Sequence, residues 1–237
     1  MMSGKRWGYV VQFFCLLVFL GMSPFLIKMD GRKTMSVSSD SVRSQNVSDE
    51  VKPVVALTFD DGPNASSTPI LLDGLKERKV RATFFLIGEN VEKDENEKIV
   101  KRMYEEGHLI GNHTYTHCNL SKLETGEAKK ELEQTDTVIE KITGKQPVFA
   151  RAPYGELPAD SEQDLSRIYI GWTVDPLDWM TEDAGAVVKT VAEEINPGDV
   201  ILLHDCYPSS VQAAIRIVDL LQGKGYEFVT VDHLIMD

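Results

Sequence analysis

At 237 residues, with 42% hydrophobic and 26% charged side chains, the chain can bury a core without disulfides even after an N-terminal segment is set aside. Its formal net charge of -12 excludes a phosphate backbone as a natural partner, so nucleic acid is not expected. The same charge gives no general attraction to an anionic cell wall, so binding to such a polymer must come from local contacts.

The first element in chain order is Val10–Ile27, VVQFFCLLVFLGMSPFLI, an 18-residue apolar run interrupted only by Gln12, Ser23 and Pro24. That length just reaches a bilayer span, and Lys5 and Arg6 before it favour a cytoplasmic N-terminus. A cleaved signal peptide is the competing reading. It would put Pro24 at the first mature position after Gly21 and Ser23, a poor context, so a single-pass anchor is expected at residues 1–27. In either case the remainder lies outside the cytoplasm. Residues 28–52, rich in Ser, Asp, Asn and Lys, read as a flexible stalk.

From residue 53 to 237 short apolar runs alternate with longer amphipathic ones. Expected strands are Val54–Phe59, Ala82–Leu86, His108–Gly111, Pro147–Ala150, Ile168–Val174, Val200–Leu203 and Glu227–Val231. Expected helices are Ser67–Arg78, Glu95–Glu106, Thr125–Thr143, Ala184–Ile195 and Val211–Gly223. The strands are continuous apolar runs, which suits burial on both faces of a parallel sheet. Alternation of strands with helices makes this an α/β fold. About seven strands are enough to close a small, distorted parallel (β/α) barrel, with no internal repeat and no second domain.

Reactive residues cluster just after the strands. Val54–Phe59 leads into Asp60-Asp61-Gly62-Pro63, and His108–Gly111 into Asn112-His113-Thr114-Tyr115-Thr116-His117. Pro147–Ala150 leads into Arg151-Ala152-Pro153-Tyr154, Ile168–Val174 into Asp175-Pro176-Leu177-Asp178-Trp179, and Val200–Leu203 into His204-Asp205. In a parallel barrel these five segments share the C-terminal rim, where active sites lie.

His113 and His117 are four residues apart, and Asp61 completes an N,N,O donor set that leaves a divalent ion room for water. Asp60 is then available as the base that takes a proton from water, and Arg151 can hold it ionised. His204, beside either Asp178 or Asp175, suits a general acid that protonates a departing amine. Trp179 and Leu202 would form an apolar wall for an acetyl methyl group, although core packing explains Leu202 equally well. His108 and His233 lack such settings and read as structural. Of the three cysteines, Cys15 falls in the apolar run; Cys118 and Cys206 each lie near a site histidine, and two unpaired thiols are expected over a bond between them.

Five motifs in order, Thr58-Phe59-Asp60-Asp61-Gly62-Pro63, His113 to His117, Arg151 to Tyr154, Asp175 to Trp179, and Leu202-Leu203-His204, resemble the polysaccharide deacetylase family. This family is also called the NodB homology domain or carbohydrate esterase family 4, and the resemblance runs from Lys52 to Asp237. It implies a distorted (β/α) barrel and one divalent ion, usually zinc with cobalt an alternative, held by Asp61, His113 and His117. It further implies Asp60 as base oriented by Arg151, His204 as acid tuned by Asp178, and Tyr154 donating its backbone N–H to an oxyanion. Trp179 and Leu202 would line the acetyl groove. Ala152, Cys118 and Cys206-Tyr207 depart from residues common at those positions. The closing segment Gly225 to Val231 resembles membrane-anchored peptidoglycan N-acetylglucosamine deacetylases. The expected substrate is therefore a cell-wall polysaccharide. Muramic acid or chitin-like sugars, O-acetyl esters and a non-catalytic wall-binding role are the alternatives.

Overall fold

In the computed structural model, which describes residues 52–93, 95–158 and 166–236, every strand pairing is parallel. The strands are β1 (Val54–Gly62), β2 (Thr83–Leu86), β3 (Leu109–Asn112), β4 (Phe149–Ala150), β5 (Ile168–Tyr169), β6 (Val200–His204) and β7 (Glu227–Val229). Their order is β5-β4-β3-β2-β1-β6, with β7 on the start of β1. The sheet curls into an incomplete barrel whose two ends meet through a single bridge between Val174 and Ile201.

That bridge corrects one expectation. Ile168–Val174 is not one strand: Ile168 and Tyr169 pair with β4, whereas Val174 pairs with β6. The chain crosses the gap between the two sheet ends at Ile170 and Gly171, whose carbonyls accept hydrogen bonds from Arg151 Nε and Nη2 (3.1 and 2.9 Å). A guanidinium thus takes the place of the missing ladder there and supplies these part-buried carbonyls with donors.

Burial on both faces explains why β1 is almost wholly apolar from Val54 to Phe59. Val55, Leu57 and Phe59 point outward into the main core, packed against helices α1 (Thr68–Glu77) and α6 (Pro208–Gly223). Ala56, Thr58 and Asp60 alternate with them and point inward, as period-two geometry requires. The lower part of the interior is filled by Ala56, Phe85 and Val231, with Leu109, Phe149, Ile170, Val200 and Leu234 around them. Val231 belongs to helix α7 (Val231–Met236), not to the expected last strand, and its N–H donates to Thr83 Oγ1. Apolar residues dominate the interior at the strand starts, and its ionisable side chains gather at the C-terminal end.

The remaining helices are α2 (Gly88–Val91), α3 (Asn96–Glu105), α4 (Thr125–Thr143) and α5 (Ala184–Glu194). α4 matches its expected span, begins with a capping box between Glu124 and Glu127, and ends at the left-handed Gly144. α6 begins three residues before the expected Val211, because Pro208 at the first helical position is preorganised for a helix start. No helix among the described residues is long and apolar enough to cross a membrane. The apolar run at residues 10–27 and the stalk up to residue 51 lie outside the described residues.

Candidate active site

Parallel pairing brings the strand ends together, and register decides who meets whom. Asp60 on β1 is paired with His204 on β6, and Thr58 with Leu202. Asn112 at the end of β3 is paired with Leu86 on one side and Ala150 on the other, which puts His113 beside Arg151. The resulting cavity of about 420 Å³ opens at the C-terminal rim and includes Asp60, Asp61, His113, His117, Trp179 and His204. Leu202 and Tyr154 also line it; Arg151 lies behind Asp60, and Asp178 beneath His204. All ten residues expected at the site therefore converge.

Asp61 is in left-handed conformation (φ 69°), which turns its side chain away from the strand direction. His113 Nε2 and His117 Nε2 lie 3.5 and 3.2 Å from its Oδ1, and the three donor atoms fall within 4.8 Å of one another. Asp61 Oδ1 is buried and has no hydrogen-bond partner. Burial pushes this carboxyl up, but the nearby imidazoles of His113, His117 and His204 outweigh it and hold the group below its usual range. Burial lowers His117, favouring the neutral ring that a metal requires. An orphaned anionic oxygen facing two imidazole nitrogens fits a divalent cation.

Backbone and outer contacts orient both rings. His113 Nδ1–H donates to the Arg151 carbonyl (2.7 Å), and the Tyr154 hydroxyl lies 3.3 Å from His117 Nδ1. Each ring thus turns Nε2 toward Asp61. Their loop contains two further left-handed residues, Thr114 and His117, and is held by Glu131 from α4. Glu131 accepts from the N–H groups of Tyr115 and Thr116 and from the Thr116 hydroxyl. Asn112 adds a bond from Thr114 N–H to its Oδ1. Sequence reading missed Glu131 and Asn112. Glu131 sits amid ordinary helix charges, and only the folded loop reveals what it holds.

Asp60 is 4% exposed, and Arg151 donates to its Oδ1 from Nη1 at 2.8 Å. The same nitrogen donates to Thr58 Oγ1, and the guanidinium plane lies 4.3 Å from the Phe85 ring centroid. Across the cavity, His204 Nδ1–H donates to Asp178 Oδ1 and the His204 backbone N–H donates to Oδ2, both at 2.8 Å. Burial lowers the His204 pKa, but the hydrogen bond and charge of Asp178 outweigh it and raise the pKa. This geometry resolves the choice between the two aspartates: Asp175 instead accepts from the Leu177 N–H.

Asp205 went unassigned from sequence. It is fully buried, accepts from the Thr68 hydroxyl, and sits so close to Gly62 that a Cβ there would lie 2.5 Å from its carboxylate oxygens. Burial pushes this carboxyl up to about 7. It fastens the start of α1 and the end of β1 to the end of β6, behind the metal-facing residues. Cys118 and Cys206 are both free. Burial raises both thiols, Cys206 to about 12, so neither is a ready nucleophile.

The polysaccharide deacetylase family model matches residues 48–170. A peptidoglycan-N-acetylglucosamine deacetylase of Bacillus cereus is 42% identical over 192 residues, spanning 77% of this chain and 68% of the relative. The peptidoglycan-N-acetylmuramic acid deacetylase PdaC of Bacillus subtilis is 38% identical over 194 residues, but the chain spans only 41% of its length. A solved structure of PdaC superposes with a TM-score of 0.74 over 78% of this chain and 90% of that one, at 38% identity. A family 4 acetyl xylan esterase from Clostridium thermocellum, solved with a cobalt ion, gives 0.72 at 34% identity, over 76% of this chain and 89% of the other. With the five motifs converging on one rim and these likenesses covering the same region, the chain belongs to the polysaccharide deacetylase family.

Proposed function

We propose that this chain hydrolyses N-acetyl groups on amino sugars of a cell-wall polysaccharide, with peptidoglycan N-acetylglucosamine as the first candidate. The observation that carries the reading is the convergence of Asp61, His113 and His117 beside two separate hydrogen-bonded pairs, Asp60–Arg151 and His204–Asp178. A non-catalytic wall-binding module has no use for a buried base and a tuned acid in addition to a cation site. The names of the relatives support the glycan substrate, since peptidoglycan deacetylases are among those most like this chain.

Asp61, His113 and His117 would hold one divalent ion, with zinc the expected metal. Such an ion supplies Lewis-acid polarisation of the acetyl carbonyl and lowers the pKa of water. Asp60 accepts the proton of the water that attacks the carbonyl carbon, and Arg151 keeps this carboxylate ionised and aimed. The Tyr154 N–H donates to the oxygen that becomes negative. As the C–N bond breaks, His204 Nε2 gives its proton to the leaving nitrogen, and Asp178 stabilises the charged ring until then. Acetate and a free amine result. Trp179 and Leu202 form the wall against the acetyl methyl.

In this reading the apolar run at residues 10–27 anchors the chain, residues 28–52 form a tether, and the catalytic domain from residue 53 works outside the cytoplasm on the wall. The test is mass spectrometry of peptidoglycan fragments after treatment with the zinc-supplied chain. Loss of acetyl from glucosamine residues is expected. Loss from muramic acid alone would move the substrate to the neighbouring sugar, and release only from O-acetylated glycans would make the chain an esterase.

A further inference from the structure

Beyond the catalytic cavity a second one of about 610 Å³ opens on the same rim. The two share Trp179 and Tyr207, which line both. The second is completed by Met180, Thr181 and Glu182 on one side and by Pro208 and Ser209 at the start of α6 on the other. Three of its large side chains are left in solvent: Trp179 is 52% exposed, Met180 64% and Tyr207 42%. A concave site lined by aromatic and apolar side chains with a few polar groups among them suits a small ligand ring. None of these three is needed to close the core. Tyr207 also packs edge-on against the His204 ring, with centroids 6.3 Å apart.

We propose that this second cavity is a subsite for the adjacent pyranose of the glycan strand, and that Tyr207 and Trp179 form the ridge over which the strand passes. The inference rests on the reading of the chain as a glycan deacetylase and adds where the polymer runs. A sugar presents an apolar ring face and a hydroxyl-bearing edge. The aromatic ridge and Met180 meet the first, while the hydroxyls of Thr181 and Ser209 and the Glu182 carboxylate are available to the second. A strand held at the catalytic cavity must leave it, and the cavity sharing its ridge gives the leaving end a place to bind. Binding energy won there appears in KM for longer chains and leaves the chemical step untouched.

The experiment measures kcat and KM for acetate release from β-linked N-acetylglucosamine oligomers of two to five units, using the full chain supplied with zinc. Wild type is expected to gain in kcat/KM with length. Ser209→Trp, which fills the outer side of the second cavity, and Met180→Ala, which strips its floor, should remove about tenfold of that gain through KM, equivalent to about 1.4 kcal/mol. Both should leave kcat and the shortest active substrate within twofold. Tyr207→Ala should lose the gain as well. An active wild type whose length dependence survives Ser209→Trp and Met180→Ala overturns the subsite alone. A wild type that releases no acetate from any oligomer or from peptidoglycan overturns the deacetylase reading beneath it.

Discussion

Arg151 holds Asp60 across the interior of the sheet with a 2.8 Å bond between two almost fully buried groups, and the same guanidinium closes the gap at Ile170 and Gly171. Four of its five N–H donors are used, so catalytic orientation and barrel closure depend on one planar fork. Arg151→Ala should leave Asp60 charged and unpaired in the interior. We expect a stability loss of about 3–5 kcal/mol in chemical denaturation and a fall in kcat/KM of about 10² or more. Arg151→Lys should rescue little of either, because an ammonium cannot reach both carbonyls and the carboxylate at once. A lysine variant with wild-type stability and rate would contradict this double role.

His204 acts as an acid only while protonated. Asp178 raises its pKa against the opposing effect of burial, so activity should decline as pH rises through that raised value. Asp178→Asn keeps a hydrogen-bond acceptor but loses the charge. The alkaline limb of the kcat/KM profile should then move to lower pH, with the plateau falling about 10². An unmoved alkaline limb would mean that His204 does not supply the proton.

Away from the site, His108 gives a stability prediction. It is 5% exposed, accepts the Ala82 N–H at Nδ1, and lies edge-on to Phe84. Burial pushes its pKa down to about 4. Between the unfolded value of about 6.5 and this folded value, the unfolded chain binds a proton that the folded one refuses. Stability therefore falls as pH drops through that window, by on the order of 3 kcal/mol at most, and is unaffected above it. Asp205 acts in the opposite sense, since its raised pKa takes stability away as pH climbs from about 4 toward about 7. The difference between wild type and His108→Gln isolates the histidine. The variant should lose less stability on acidification from pH 6.5 to 4, as read from denaturation midpoints at each pH. Equal losses would contradict the assignment.

Much of the site was legible because chemistry and strand ends coincide in this sequence. Each motif follows an apolar run, and parallel strands bring such ends together whatever the helices between them do. Spacing alone left Asp178 and Asp175 both open and only the family resemblance chose Asp178; both lie after one strand, and the turn at Leu177, itself left-handed, is what brings the Asp178 carboxylate to His204. The break at Ile170 and Gly171 was hidden because pairing partners change along a run whose hydropathy does not. Val231 reads as a strand end by its apolar neighbours, yet its place under the interior made it the start of a helix. Glu131 and Asp205 carry no local signal: one is an ordinary helix acid, the other an ordinary acid after a histidine, until packing sets one beneath a strained loop and the other in a dry core.

The most direct measurement follows acetate release from N-acetylated glycan by the full chain before chelation, after chelation and after zinc is restored, with bound metal determined by elemental analysis and His117→Ala in parallel. One ion per wild-type chain, loss of release on chelation and recovery with zinc are expected, and His117→Ala should neither retain the ion nor recover. Undiminished release from the chelated chain, or from His117→Ala, would contradict the account.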